Sequence, residues 1–140
     1  MLVAGFSHVA LTVSNMKVSR EFYSETLGLT VLDSSDSYCA LLIGGGSLSA
    51  LILTHHEDGV PEPFSELRPG LDHVSLAVRD LPLLTDWQTR LTQWGVHSDL
   101  RRSEWGHHLN FRDPDNIALE LVVIEPDAQV QQVLDQAGLV

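Results

Sequence analysis

A seven-residue phrase occurs twice in this chain of 140 residues, with the second copy starting 65 positions after the first. The copies are residues 7–13 and 72–78, and His, Val, Leu and Val recur in the same order in both. Their alternation of apolar residues predicts a β-strand in each copy. The repeat therefore predicts two similar modules, with His8 and His73 at equivalent points on their first strands.

The residues after each copy predict the same order of elements, β-α-β-β-β. In the first module Asn15 is predicted to cap a helix that ends at Gly28 and carries Val18, Phe22 and Thr26 on one face. In the second module Asp80 is the predicted cap and Gly95 the end, with Leu84, Trp87, Leu91 and Trp94 at helical spacing and both tryptophans in the core. The remaining predicted strands are 30–32, 38–43, 48–54, 96–100, 107–112 and 117–124, with turns at 44–46 and 113–116.

This repeat predicts an α+β fold, in which two paired β-α-β-β-β modules form an open curved eight-stranded sheet around a cavity, with helices outside. Residues 1–140 are predicted to form a single domain. Module one covers about 6–54, a linker rich in proline and acidic residues covers 55–70, module two covers about 71–125, and an amphipathic C-terminal helix covers about 127–137.

Composition narrows the class of protein. The net charge is −11 with only 8 basic residues, which argues against nucleic acid and anionic membrane partners. The sequence has no run of about 18 apolar residues, so it predicts no membrane-spanning helix, and residues 1–5 do not resemble a signal peptide. The single cysteine, Cys39, lies in an apolar strand pattern and is predicted to be a packed thiol, which fits a cytoplasmic protein.

Strand alternation predicts where three candidate ligands point. Val9, Leu11 and Val13 share one face of the first strand, so His8 lies on the other face, toward the cavity. His73 is placed in the same way in module two. Glu120 is a carboxylate within an apolar strand, and burying it requires a cation or a hydrogen-bonded partner such as Arg79, Arg101, Arg102 or Arg112.

Two neutral imidazoles and a carboxylate can bind a divalent metal and leave positions open for substrate or water. The competing interpretation is that each histidine is an ordinary strand residue and that Glu120 pairs with an arginine. His108 would share the cavity face with Asn110 and Arg112, and it is a candidate proton shuttle or a solvent-exposed histidine. His55 and His56 lie in a loop and are predicted to be solvated.

The repeated modules and the segment Phe-Arg-Asp-Pro-Asp-Asn-Ile-Ala-Leu-Glu-Leu at 111–121 resemble the vicinal oxygen chelate superfamily over residues 6–125. That group includes glyoxalase I, extradiol dioxygenases, fosfomycin-resistance thiol transferases and bleomycin-resistance proteins. The resemblance implies His8, His73 and Glu120 as metal ligands and a homodimer. Leu51 is the predicted counterpart of Glu120 in module one and stands where glyoxalase I has a fourth ligand, so the three-ligand set is more similar to the dioxygenases and fosfomycin transferases. This implies Fe²⁺ or Mn²⁺, with Zn²⁺, Ni²⁺ or Mg²⁺ as further options.

The sequence therefore supports two functions. The first is a metal-dependent enzyme that chelates a small-molecule substrate with vicinal oxygens, with Glu120 and His108 as the catalytic residues. The second is a non-catalytic drug-binding protein of the bleomycin-resistance type, for which an acidic chain would suit a cationic ligand. Several substrates and reactions fit this sequence, and the modules could pair within one chain or between the two chains of a dimer.

Overall fold

The structure is a computed structural model, and it describes residues 6–44, 49–60 and 62–138. Eight strands in these ranges are divided equally between two open, mixed sheets, and the elements run β-α-β-β-β twice before a final helix. The predicted α+β class and both modules are confirmed. Four predicted features lie partly or wholly outside the described residues: the start of the chain, the 44–46 glycine turn, the beginning of the 48–54 strand, and Pro61.

The chain separates into two units, and the first contains residues up to 63 together with 113–115. Its sheet has the order β1-β4-β3-β2, with β1 and β4 parallel and the other pairs antiparallel. Its elements are β1 (His8–Thr12), α1 (Met16–Glu21, continued by a π-helical turn at Phe22–Thr26), β2 (Thr30–Ser34), β3 (Tyr38–Ile43) and β4 (Ser49–Thr54).

The first helix begins and ends where predicted, but its buried face differs from the predicted one. The Asn15 side chain accepts a hydrogen bond from the Val18 amide, and Gly28 has a positive φ of 71°. Val18 is 46% exposed, so the prediction that it shares one face with Phe22 and Thr26, which are both buried, is wrong. The buried face begins at Met16, and a residue two positions later lies about 200° around the helix. The other buried residues of this segment are Ser19, Phe22, Tyr23 and Thr26.

The second unit contains residues 64–112 and those from 116 onward. Its sheet has the order β5-β8-β7-β6, again with its first strand parallel to its last. The predicted strand 96–100 is displaced to Ser98–Ser103, where it forms an edge strand paired with β7. The elements are β5 (Val74–Ala77), α2 (Leu81–Gln93), β6 (Ser98–Ser103), β7 (Gly106–Arg112), β8 (Ala118–Ile124) and α3 (Ala128–Gln136).

Helix α2 packs through fewer residues than its apolar pattern predicts. Asp80 caps it as predicted, and Leu84 and Leu91 are fully buried. Trp94 is 51% exposed because it lies at the C-cap, beyond the last packed turn, so its predicted core position is wrong. The half-buried Trp87 ring lies under the Arg90 guanidinium, with 5.2 Å between the guanidinium carbon and the ring centroid. No helix among the described residues has the length and hydrophobicity needed to cross a membrane.

Candidate functional site

Each sheet has a packed face and an open face, as strand alternation predicts. On β1, Leu11 is buried while His8, Ala10 and Thr12 are exposed. On β5, Val74 is buried and Ser75 is exposed. In β8 the packed residues are Leu119, Leu121 and Val123. Glu120 therefore lies on the open face of the second sheet, where the side chains can meet a ligand.

Glu120 is held by two hydrogen bonds from neighbouring strands. Its side chain is only 12% exposed. The Ser75 hydroxyl on β5 donates to Oε1 at 2.6 Å, and His108 Nδ1 on β7 lies 2.8 Å from Oε2. The carboxylate thus has the hydrogen-bonded partners that its position requires. Neither of these two hydrogen bonds comes from an arginine that the sequence suggested as a partner, and Arg112 bonds to Glu66 instead.

His108 is bonded through both ring nitrogens. In addition to its contact with Glu120, its Nε2 lies 2.7 Å from Ser103 Oγ on β6. The side chain is 20% exposed, so it is a partly buried residue and not a freely solvated strand histidine. Ser103 was not identified from the sequence. Strand alternation could have indicated it, because Arg101 is paired with His108 and Ser103 lies two residues further along, on the same face of β6.

His8 and His73 each make a local contact through Nδ1. In the first unit, the Ser7 hydroxyl lies 3.1 Å from His8 Nδ1. In the second unit, Asp72 Oδ1 lies 2.6 Å from His73 Nδ1. In both copies of the repeated phrase, the residue before the histidine contacts its Nδ1. This leaves Nε2 as the nitrogen available to a ligand.

The candidate ligands are divided between the units, with His8 in the first and His73 and Glu120 in the second. Within the described ranges, no group of three or more His, Cys, Asp or Glu side chains is close enough to hold a metal ion. The three-residue ligand set therefore stays a prediction. The donor types fit a divalent metal, because a ligating histidine commonly donates its second ring N–H to a carboxylate, as His73 can to Asp72.

The strand registers correct the predicted counterpart of Glu120 in module one. Ser75 is opposite Glu120 in the second sheet, and its equivalent Ala10 is opposite Ile52 in the first. Ile52, not Leu51, is therefore the counterpart. Leu51 is 1% exposed and belongs to the packed face. Neither residue can ligate, so the expectation that the first module supplies no carboxylate at this position is unchanged.

A polar groove of about 370 Å³ lies beside His73 in the second unit. Arg112 and Glu66 form a two-pronged ion pair there, with Nη1–Oε2 and Nη2–Oε1 distances of 3.0 and 2.5 Å. The Arg112 hydrogen bonds lower the pKa of Glu66 to about 2. The groove also contains Asp72, His97, Asp99, Asn110, Phe111, Ala118 and Leu119. Glu66 comes from the predicted linker, which thus contributes a wall of the groove.

A buried hydrogen bond joins α1's π-helical turn to the predicted turn at 113–116. Tyr23 is fully buried, and its hydroxyl donates to Asp113 Oδ2 at 2.9 Å. Burial, followed by the Asp113 carboxylate, raises the pKa of Tyr23 far above its usual value of 10.0. Asp115 accepts from the Ser14 amide at 3.0 Å. This turn is therefore structural in the first unit.

The other chemistry-bearing residues have local roles. Cys39 is fully buried, as predicted, and burial raises the pKa of its thiol. His55 Nδ1 lies 3.0 Å from the Val13 carbonyl, and His56 is exposed in the loop after β4. Tyr38 is 38% exposed on the open face of β3.

Known proteins resemble this chain along most of its length. The model of the Glyoxalase/Bleomycin resistance protein/Dioxygenase superfamily matches residues 5–121. The metallothiol transferase FosB of Staphylococcus haemolyticus is 27% identical over 126 residues, covering 86% of this chain and 84% of that protein.

Solved structures agree with this family match. A glyoxylase/bleomycin resistance protein/dioxygenase domain from Frankia sp. EAN1pec has a TM-score of 0.79 at 33% identity, covering 89% of this chain and 100% of that one. TnmS3, an antibiotic binding protein from Streptomyces sp. CB03234, has a TM-score of 0.68 at 22% identity, covering 89% and 99%, and it shows the shared fold alone. The chain therefore belongs to the glyoxalase/bleomycin resistance protein/dioxygenase superfamily.

Proposed function

We propose that this protein is a divalent-metal-dependent enzyme acting on a small molecule with vicinal oxygens, and that His8, His73 and Glu120 are its metal ligands. The observation that carries the proposal is Glu120, an oriented and largely buried carboxylate on the open face of an apolar strand. A fold does not need a carboxylate at this position, since module one has Ile52 there.

The two histidines support the ligand set through their ring nitrogens. Each has its Nδ1 in contact with the residue before it, so each would present Nε2 to the metal. The Asp72–His73 pair has the carboxylate–histidine arrangement that fixes ring orientation and raises the basicity of a ligating nitrogen. His8 would come from the same chain or from a second copy in a homodimer.

When bound, the metal would supply Lewis acidity, stabilising negative charge on substrate oxygens. Three protein ligands leave open positions at which two vicinal oxygens can be chelated. Imidazole and carboxylate donors suit Fe²⁺ and Mn²⁺, and they also accommodate Zn²⁺, Ni²⁺ or Mg²⁺. The FosB relative is named a metallothiol transferase, which supports metal dependence and leaves the reaction of this chain open.

His108 is proposed to act beside Glu120 as the second catalytic residue. His108 Nδ1 lies 2.8 Å from Glu120 Oε2, within hydrogen-bonding distance. The pair can thus take up or release a proton next to the bound substrate. A cytoplasmic location and the absence of nucleic acid or membrane partners remain expectations from composition.

Calorimetric titration with Mn²⁺ tests the ligand assignment. Wild-type protein, stripped with a chelator and dialysed, is expected to bind one Mn²⁺ per chain. His73→Ala should abolish or greatly weaken binding, because it removes one of three ligands. His56→Ala is the matched control, since His56 is an exposed loop histidine, and it should leave binding unchanged. Equal binding by His73→Ala and wild type would exclude His73 as a ligand.

A second function, non-catalytic ligand binding, has one observation in its favour. Both Glu120 oxygens already accept hydrogen bonds, so the carboxylate has its polar partners without a cation. A binding protein of this type would keep the open faces of its sheets and take up a drug-like molecule there. Failure of wild type to bind Mn²⁺, Fe²⁺ or Zn²⁺, together with binding of a cationic drug, would favour this alternative.

A further inference from the structure

We infer that Ser103 is a positioning residue that fixes the tautomer and orientation of His108 and, through it, the carboxylate of Glu120. The part of this inference that concerns metal affinity rests on the proposed function. Four side chains form one hydrogen-bonded series across the open face of the second sheet, one from each strand. In order of contact they are Ser103 (β6), His108 (β7), Glu120 (β8) and Ser75 (β5).

The direction of each hydrogen bond follows from the donors available. An ionised carboxylate only accepts, so His108 must carry its proton on Nδ1 to bond Glu120. Neutral His108 then has a lone pair on Nε2, and the Ser103 hydroxyl must donate to it. The Ser103 oxygen in turn accepts the Trp105 amide at 3.1 Å, which orients the hydroxyl. The hydrogen bonds therefore converge on the carboxylate: Ser103 donates toward Glu120 through His108, and Ser75 donates to Glu120 from the other side.

Module one provides an internal comparison for this arrangement. The strand registers make Ala10, Ile52 and Tyr38 the counterparts of Ser75, Glu120 and His108. The first sheet forms the same strand order without a polar series at these three positions. The fold therefore does not require this series, and a functional role on the open face of module two explains its members better.

The consequence is a carboxylate with a set orientation. Each carboxylate oxygen has about two acceptor sites, and here each accepts one hydrogen bond. One site on each oxygen is left to face a ligand. Without the Ser103 hydroxyl, His108 is free to move its proton to Nε2 or to rotate, and Glu120 Oε2 then loses its donor.

Nitrogen NMR of the imidazole rings tests this inference without any metal. In ¹⁵N-labelled wild type, His108 is expected to be in the Nδ1–H tautomer. Ser103→Ala should shift it toward a mixture with Nε2–H, and Ser103→Thr should restore the wild-type state because it retains the hydroxyl. Ser98→Ala is the matched control, since Ser98 is on the opposite face of β6 and its buried hydroxyl has no hydrogen-bond partner. An Nε2–H tautomer in wild type, or no change in Ser103→Ala, would overturn the inference.

Mn²⁺ affinity provides the second measurement. Loss of a group that orients a ligand typically costs 10- to 100-fold in affinity, so Ser103→Ala should weaken Mn²⁺ binding by about 10-fold. Ser98→Ala should bind like wild type. If wild type itself binds no Mn²⁺, the proposed function fails, and the tautomer measurement alone decides the role of Ser103. If wild type binds and Ser103→Ala binds equally well, the positioning role is contradicted.

Discussion

His108 Nδ1 lies 2.8 Å from Glu120 Oε2, across neighbouring antiparallel strands β7 and β8. The two residues are a diagonal pair, because Asn110 is directly opposite Glu120 and His108 is two residues further on the same face. This diagonal contact joins the predicted proton shuttle to the predicted carboxylate ligand. It also gives Glu120 a hydrogen-bonded partner in a strand, β8, that is otherwise apolar.

Replacing His108 should destabilise the second sheet. In His108→Ala, Glu120 Oε2 loses its donor while its side chain stays largely buried, so the free energy of unfolding should fall by about 1 to 3 kcal/mol. Urea denaturation measures this. His56→Ala removes an exposed imidazole and should change the free energy by less than about 0.5 kcal/mol. Equal stability of the two variants would show that the His108–Glu120 contact is not formed in solution.

The Tyr23 hydroxyl should make the protein sensitive to alkaline pH. Its pKa is raised in the folded state, so above pH 10.0 the unfolded chain loses the proton while the folded chain keeps it. Stability from this group is therefore full below pH 10.0 and declines as pH rises above it. Tyr23→Phe should lower stability at pH 7 by about 1 kcal/mol and should show a shallower alkaline decline. Parallel pH profiles for wild type and variant would contradict this account.

The Arg112–Glu66 ion pair should be visible in the titration of the Glu66 carboxyl. Its pKa is lowered to about 2 from 4.5, so its stabilising contribution is present above pH 4.5 and is lost as pH falls toward 2. Arg112→Ala should return the midpoint toward 4.5, as followed by carbon NMR of the side-chain carboxyl. Arg101→Ala is the control because Arg101 pairs with Asp99, and it should leave the Glu66 midpoint in place.

Gly106 should tolerate substitution far less well than Gly95. Both have positive φ, at 132° and 74°. A Cβ on Gly106 would lie 2.0 Å from the Val123 carbonyl oxygen, whereas one on Gly95 would meet nothing within 4 Å. Gly106→Ala should therefore cost about 3 kcal/mol or more, and Gly95→Ala about 1 to 2 kcal/mol, in thermal or urea unfolding. Similar costs for both would mean that the β6–β7 hairpin can move away from β8.

Much of the fold could be predicted because the repeat and strand alternation are local signals. The bounds of β3 match the prediction at both ends, and the caps at Asn15 and Asp80 form as expected. The packed faces of the helices are harder to predict, because apolar side chains at helical spacing do not indicate which residues contact the sheet. For this reason the sequence did not predict that Val18 and Trp94 are exposed.

The site could be predicted only in part. The alternation of β8 places Glu120 on the open face, as the sequence indicates. Its partners depend on the register between strands, which spacing along the chain does not reveal. The same limit explains why spacing along the chain predicts Leu51 as the counterpart of Glu120, where the register has Ile52, and why it does not place Ser103 beside His108.

The metal content of the purified protein tests the central claim most directly. The protein should be purified without chelators or added metals and analysed by inductively coupled plasma mass spectrometry beside Glu120→Gln. We expect about one Fe²⁺ or Mn²⁺ per chain in the wild type, by analogy with three-ligand His/His/carboxylate sites, and a marked loss of metal in the variant. A wild type that contains no stoichiometric divalent metal and takes up none on reconstitution would contradict the account.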